Sequence, residues 1–234
     1  IVFTGSTETA RAIEKLAAAH LDPATPLIAE TGGINAMIVD SSALAEQAVR
    51  DAVASAFQSA GQRCSALRIL CLQEDVAEPV IAMLEGAMQC LVLADPWDRA
   101  TDVGPVIDAE SQDRIQAHLD QHPPRVQLAA PAGGTFLGPA IVRVASIESL
   151  TQEVFGPVLH VATFAGAEIE TVVERINRLG YGLTMGLHTR LEDRVRRVVD
   201  RARVGNLYVN RNQIGAVVGV QPFGGEGLSG TGPK

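Results

Sequence analysis

Two short stretches carry residue types able to do covalent chemistry. In Gly61-Gln62-Arg63-Cys64-Ser65 a cysteine follows a helical pattern that ends at a glycine and precedes a strand-like run. The thiolate is the nucleophilic form of cysteine, and a junction of this kind can lower its pKa while leaving it accessible. A single cysteine there also reads as a small buried hydrophobe, which is the reading for Cys71 and Cys90 in their apolar strand and helix contexts. The second stretch is Glu30-Thr31-Gly32-Gly33, 34 residues before Cys64, where an acid closes the apolar run Leu27-Ile28-Ala29. Desolvation disfavours a carboxylate in such a place unless it has a use, and a carboxylate near a cysteine suits a general base that activates water against a thioester. The plain alternative is a solvated loop glutamate.

These residues need a scaffold, and the hydrophobic pattern supplies one. Apolar pairs recur every four residues over 42–58, predicting an amphipathic helix with Asp40 or Ser41 as its cap, after the apolar strand 36–39. A strand at 67–72 leads into a helix at 75–90, and the helix at 108–120 is stopped by Pro123-Pro124. Strands are expected at 125–129, 140–144, 158–164, 184–189 and 206–210, with helices at 167–178 and 191–203. Strand and helix alternate almost throughout, the pattern of an α/β domain with a mostly parallel sheet and helices on both faces. The glycine-rich segment 215–232 reads as a long loop of functional or mobile character.

Composition narrows the classes. With 47% hydrophobic and 20% charged residues over 234 positions, the chain has enough apolar material for a sizeable core. Its formal charge of −8 argues against a surface built for nucleic acid. The arginines of 190–203 are interleaved with Glu192, Asp193 and Asp200, as on a solvated helix face. Three cysteines without CxxC spacing fit neither a disulfide framework nor a structural zinc site, so a reducing, cytoplasmic setting is expected. There is no run of 18 apolar residues to enter a membrane. His118 and His122 lack the adjacent glutamate of a zinc-protease pair and precede Pro123, so they are expected at the surface, and no metal site is expected.

Five segments occur in an order that resembles the aldehyde dehydrogenase superfamily: Phe3-Thr4-Gly5-Ser6-Thr7-Glu8, Glu30-Thr31-Gly32-Gly33, Gly61-Gln62-Arg63-Cys64, Glu153-Val154-Phe155-Gly156-Pro157 and Pro222-Phe223-Gly224-Gly225. The run from Gly205 through Arg211-Asn212, followed by Gly215-Ala216-Val217-Val218-Gly219-Val220-Gln221, is similar to the L-glutamate γ-semialdehyde (Δ1-pyrroline-5-carboxylate) dehydrogenase branch. It is most similar to the aldehyde dehydrogenase module of bacterial bifunctional proline utilization A proteins.

The resemblance implies NAD+-dependent oxidation of L-glutamate γ-semialdehyde to L-glutamate, the second step of proline catabolism. It implies Cys64 as nucleophile, with its N–H as half of an oxyanion hole, and Glu30 as the base for hydrolysis. Gly5 and Ser6 would lie beside the cofactor pyrophosphate at the start of a helix over 7–19, Glu153 would hold the nicotinamide ribose, and Phe155 would pack near the nicotinamide. Ser65, Gly215, Ala216 and Phe223 would bind the substrate, the loop N–H groups taking its α-carboxylate. The absence of a GxGxxG or GxxxxGK[ST] motif does not count against NAD, since superfamily members bind it without the former. The expected division is a remnant of a Rossmann-like cofactor domain over 1–30, a catalytic domain over 31–210, and an anchor loop with tail over 211–234. The termini read as cut, so a C-terminal-half fragment is expected. It would be inactive alone, with much of the cofactor domain and the second oxyanion-hole group upstream, and the parent would be a homo-oligomer with a possible proline dehydrogenase domain in the same chain. Open alternatives are a dehydrogenase for another carboxylated aldehyde, such as succinate semialdehyde, and a non-catalytic folding or assembly unit.

Overall fold

The computed structural model describes residues 1–232; Pro233 and Lys234, the end of the expected tail, lie outside the described residues. The chain opens with a β-α-β unit. Strand β1 (Val2–Thr4) pairs in parallel with β2 (Ile28–Glu30), and α1 (Thr7–His20) connects them, capped by Ser6, whose Oγ accepts the Thr9 N–H at 3.2 Å.

The main body is a seven-stranded sheet. Its strands are β3 (Asn35–Val39), β4 (Leu67–Gln73), β5 (Val126–Gln127), β6 (Ala140–Arg143), β7 (Val158–Phe164), β9 (Thr184–His188) and β10 (Asn206–Val209). They lie in the order β10-β9-β3-β4-β7-β6-β5, all parallel except the edge strand β5, which runs antiparallel to β6. A separate antiparallel pair joins β8 (Tyr181–Gly182) to β11 (Glu226–Gly227).

The helices follow from the crossovers, and the strand residues sort by parity onto the two faces. Met37, Val39, Leu70 and Leu72 pack with α2 (Ala45–Phe57), α3 (Glu74–Gln89) and α4 (Ala109–Gln121). Ala36, Ile38, Ile69 and Cys71 face the other side, against α5 (Ile169–Arg178) and α6 (Glu192–Val199). A strand buried on both faces must be apolar at every position, which is why β3 and β4 read as continuous hydrophobic runs.

Several expectations are corrected. Helix α2 begins after Leu44 without a side-chain cap, because Asp40 is engaged elsewhere, accepting from Ser42 N at 2.7 Å and from Thr189 Oγ1. It ends at Phe57 rather than at a glycine, and a kinked turn follows with Ser59, Ala60 and Gly61 all in the left-handed region. Cys90 is exposed at the C-cap of α3, so it is not a buried hydrophobe, whereas Cys71 is buried and its thiol is pushed up to about 12 by burial. His118 and His122 are half-buried; His118 Nε2 lies 2.9 Å from Nε2 of His160, which is 1% exposed on β7. The arginine-rich α6 carries exposed pairs such as Arg196–Glu192 and Arg197–Asp193, as expected of a solvated face. Among the described residues, no helix is long and apolar enough to cross a membrane.

Candidate active site

The turn that presents Cys64 lies between α2 and β4 and is fixed by its carbonyl groups. Asn35 at the start of β3 is 2% exposed, and its Nδ2 donates to Cys64 O at 2.7 Å and to Ala66 O at 2.9 Å. Its Oδ1 accepts the Thr184 N–H at 3.1 Å, tying β9 to the same point. The intervening Ser65 carbonyl accepts from Thr184 Oγ1 at 3.3 Å and from Gln213 Nε2 at 3.4 Å. Three consecutive carbonyls are thus turned into the scaffold. Gly61 permits the approach: its φ is +65°, and a Cβ there would overlap the Gly156 carbonyl.

Cys64 is partly exposed on this turn. Its thiol is pushed above the ordinary range, chiefly by burial and further by the negative charge of Glu153. The N–H groups of Ser65 and Cys64 and the Arg68 guanidinium act in the opposite direction. The lowered pKa anticipated from the helix-to-strand junction is therefore absent, and the uncomplexed protein holds a neutral thiol. A helix running into the turn would have to point its N-terminus at the sulfur to lower its pKa; α2 arrives here with its C-terminal end.

Arg68, four residues on in β4, is 0% exposed and uses all five of its N–H donors. Nε and Nη2 donate to Glu153 Oε1 at 3.2 and 3.0 Å. Nη1 donates to Gly61 O at 2.7 Å and Gly156 O at 3.2 Å, and Nη2 also reaches Arg63 O at 3.1 Å. The Phe155 ring covers the guanidinium at 5.1 Å and remains 43% exposed. Burial raises the Glu153 pKa, opposed by Arg68 and by the Gly33 N–H. A Cβ on Gly32 would overlap Glu153 Oε2, so a glycine is required where the two segments meet.

The segment from Glu30 to Asn35 therefore passes Glu153 at Gly32-Gly33 and the Cys64 turn at Asn35, bringing these site residues into one region. Glu30 itself ends β2, and its Oε2 accepts the Gly225 N–H at 2.9 Å from the glycine-rich tail. The tail runs back beside it: Thr31 N donates to Ser229 O and Thr231 N to Ala29 O, both at 2.9 Å. Gly5, whose N–H donates to Glu30 O at 3.1 Å, and Ser6 stand exposed at the N-terminus of α1.

The expected anchor residues are placed as follows. Gly215 is half-buried and Ala216 exposed, on a loop carrying the exposed Val217, Val218 and Val220; Phe223 is half-buried and Ser65 buried. The base of the loop meets the nucleophile turn, where Arg63 Nη1 donates to Ile214 O at 3.4 Å. A cavity of about 660 Å³ lies elsewhere, lined by Val49, Val53, Phe57, Met83 and Leu91 between α2 and α3, and includes none of the site residues.

Sequence reading missed Asn35, Arg68 and Gln213. Arg68 had a signal, a lone charge within the apolar run 66–72, since a charge buried in a central strand needs partners. Asn35 and Gln213 offered none beyond polarity next to apolar neighbours. The nicotinamide cofactor implied above fits the residues present. The helix N-terminus at Gly5-Ser6 suits a diphosphate, and the exposed Phe155 ring beside Glu153 suits a flat, ribose-bearing group. Among the described residues no group of three or more His, Cys, Asp or Glu side chains could hold a metal ion.

A parallel α/β sheet presenting a cysteine at a strand entrance agrees with the comparison to known families: the chain belongs to the aldehyde dehydrogenase family, whose model matches residues 1–234. The bifunctional protein PutA of Klebsiella aerogenes is 53% identical over all of this chain and 19% of its own length. The 1-pyrroline-5-carboxylate dehydrogenase of Geobacillus kaustophilus is 34% identical, again over the whole chain, which spans 47% of that relative. Among solved structures, Bradyrhizobium japonicum proline utilization A superposes with a TM-score of 0.96 at 55% identity, covering 100% of this chain and 24% of the other. A Thermus 1-pyrroline-5-carboxylate dehydrogenase with bound NAD gives 0.89 at 33%, covering 99% of this chain and 46% of the other.

Proposed function

We propose that these residues form the thiol-bearing part of an NAD+-dependent dehydrogenase that oxidises L-glutamate γ-semialdehyde to L-glutamate, the second step of proline catabolism. The observation that carries the reading is the fixed turn at Cys64, with three carbonyls tied back and the Arg68–Glu153 pair beside it. Relatives named PutA and 1-pyrroline-5-carboxylate dehydrogenase support the substrate class. Because the chain spans about half or less of those relatives, the activity is assigned to the whole protein, and the 234 residues alone are expected to turn over poorly. We further assign residues 1–30 to the cofactor side, 31–210 to the thiol domain and 211–234 to the anchor loop and tail. A proline dehydrogenase domain in the same protein and a cytoplasmic homo-oligomer belong to the same proposal.

In this reading the Cys64 thiol gives up its proton to solvent water and its sulfur bonds to the aldehyde carbon, the C=O π pair moving onto oxygen to give a hemithioacetal oxyanion that faces the Cys64 N–H. Bound NAD+ supplies the hydride acceptor. Loss of hydride leaves a thioester on Cys64. Glu30 takes a proton from water, whose oxygen attacks the thioester carbon; the C–S bond breaks with its electron pair on sulfur, the sulfur takes up the proton that Glu30 releases, and glutamate leaves with the thiol restored. When NAD+ is bound, Gly5 and Ser6 would hold its diphosphate, Glu153 its ribose hydroxyls, and Phe155 would lie beside its nicotinamide. Gly215 and Ala216 receive the α-carboxylate through their N–H groups, Ser65 adds its hydroxyl, and Phe223 walls the aliphatic chain.

The test is NADH formation by the whole protein with glutamate semialdehyde and with succinate semialdehyde. A clear preference for the former is expected. Equal efficiency removes the substrate assignment, and no turnover with either removes the enzymatic one.

A further inference from the structure

Arg68 stands apart from the groups that would touch a substrate. A buried guanidinium is costly unless every donor is satisfied, and here all five are. The partners divide into two sets. Gly61 and Arg63 precede Cys64 on the nucleophile turn; Glu153 and Gly156 bracket Phe155 on the segment proposed to face the cofactor. The backbone of the same residue is fixed as well, since the Arg68 carbonyl accepts from His160 Nδ1 at 2.9 Å.

We infer that Arg68 is a positioning residue that holds the nucleophile turn and the Glu153–Gly156 segment as one unit, so that a single guanidinium sets the relation of the thiol to the ribose-facing carboxylate. The inference rests on the function proposed above and extends it to a group that contacts neither substrate nor cofactor. Lysine cannot replace it, because three N–H groups on one nitrogen cannot span a planar fork with four acceptor residues. The rigid fork also explains why the two loops need glycine where they approach: Gly61 against the Gly156 carbonyl and Gly32 against Glu153.

The experiment compares the wild type with Arg68→Lys and Glu153→Asp in the whole protein. It measures NAD+ dissociation constants by fluorescence quenching, the rate of Cys64 alkylation by iodoacetamide across pH, and thermal unfolding. For Arg68→Lys, NAD+ affinity falls by about tenfold or more, the scale of a lost charge-assisted hydrogen bond, and the alkylation rate changes in the same variant. A merely structural Arg68 would lower the unfolding temperature with both other readouts unchanged, and that result overturns the inference. Should Arg68→Lys fail to fold, Glu153→Asp decides: it keeps the carboxylate charge but shortens its reach to the Arg68 fork. With the segments coupled, the Cys64 alkylation rate changes in this variant; an unchanged rate overturns the inference. Wild-type protein that binds NAD+ but does not oxidise glutamate semialdehyde refutes the substrate reading and leaves these two readouts interpretable.

Discussion

Cys64 has opposing influences within a few ångströms: burial and Glu153 hold the proton on sulfur, while two N–H groups and Arg68 pull it off, and the first pair prevails. A raised pKa leaves less thiolate at neutral pH than an ordinary cysteine has, so the uncomplexed protein should alkylate at Cys64 more slowly at pH 7 than the same residue in urea. Its rate should still be climbing at alkaline pH where the unfolded thiol has levelled off. Mass spectrometry after iodoacetamide pulses measures both, and faster labelling of the native protein at pH 7 would contradict the assignment. Asn35 supports the same turn. Its replacement by alanine strips donors from the Cys64 and Ala66 carbonyls, and the expected cost is about 2–4 kcal/mol in urea unfolding. The segment around Cys64 was recognisable in the sequence as one of the family's, because its neighbours Gly61, Gln62 and Arg63 spell it. Asn35 was not, because a polar residue at a strand entrance has the same local signature whether it faces solvent or a buried carbonyl.

At the level of elements, the apolar runs read β7 to the residue and β4 to within one, since both strands are buried on two sides; β4 runs one residue further because the buried strand continues into the polar Gln73. The reading weakened where pairing is short. Over 125–129 only Val126–Gln127 forms regular ladder, and the two-residue β8 and β11 have no periodicity to detect. The turn after α2 was misread for a chemical reason: Ser59 and Ala60 adopt left-handed φ values of 58° and 53°, which L-residues avoid and sequence pattern does not signal. That turn also makes a prediction. Gly61→Ala combines a φ of +65° with overlap on the Gly156 carbonyl. Stability should drop by roughly 1–3 kcal/mol or more, with the Arg68 contacts to both carbonyls disturbed. By contrast Gly133→Ala, also at positive φ but with open space around it, should cost only about 1 kcal/mol. Parallel urea titrations of the two variants separate collision from backbone strain.

Across the whole molecule, the site is assembled from distant parts of the chain, and this is where local sequence had least to say. Gly225 reaches Glu30, and Gln213 reaches Ser65, over separations of 195 and 148 residues. A second long-range tie runs through histidines and predicts how the fold responds to acid. The Arg68 carbonyl can only accept, so His160 carries its proton on Nδ1 and presents a bare Nε2, which must accept the Nε2–H of His118. The link fastens α4 to β7, and through Arg68 to the thiol turn, only while His160 is neutral; a second proton on His160 would set two donors against each other. Burial lowers the pKa of His118 and takes that of His160 down to about 4 from the usual 6.5. Above pH 6.5 neither folded nor unfolded chain protonates His160, and the tie is at full strength. As pH falls from 6.5 towards 4, the unfolded state binds a proton that the folded state refuses, so stability declines by roughly 3 kcal/mol from this residue and levels off below the folded pKa. His160→Gln removes the titration while leaving a side chain that can donate and accept. Its unfolding free energy in urea should fall less between pH 7 and pH 4.5 than that of the wild type, and an equal fall in both would locate the acid sensitivity elsewhere.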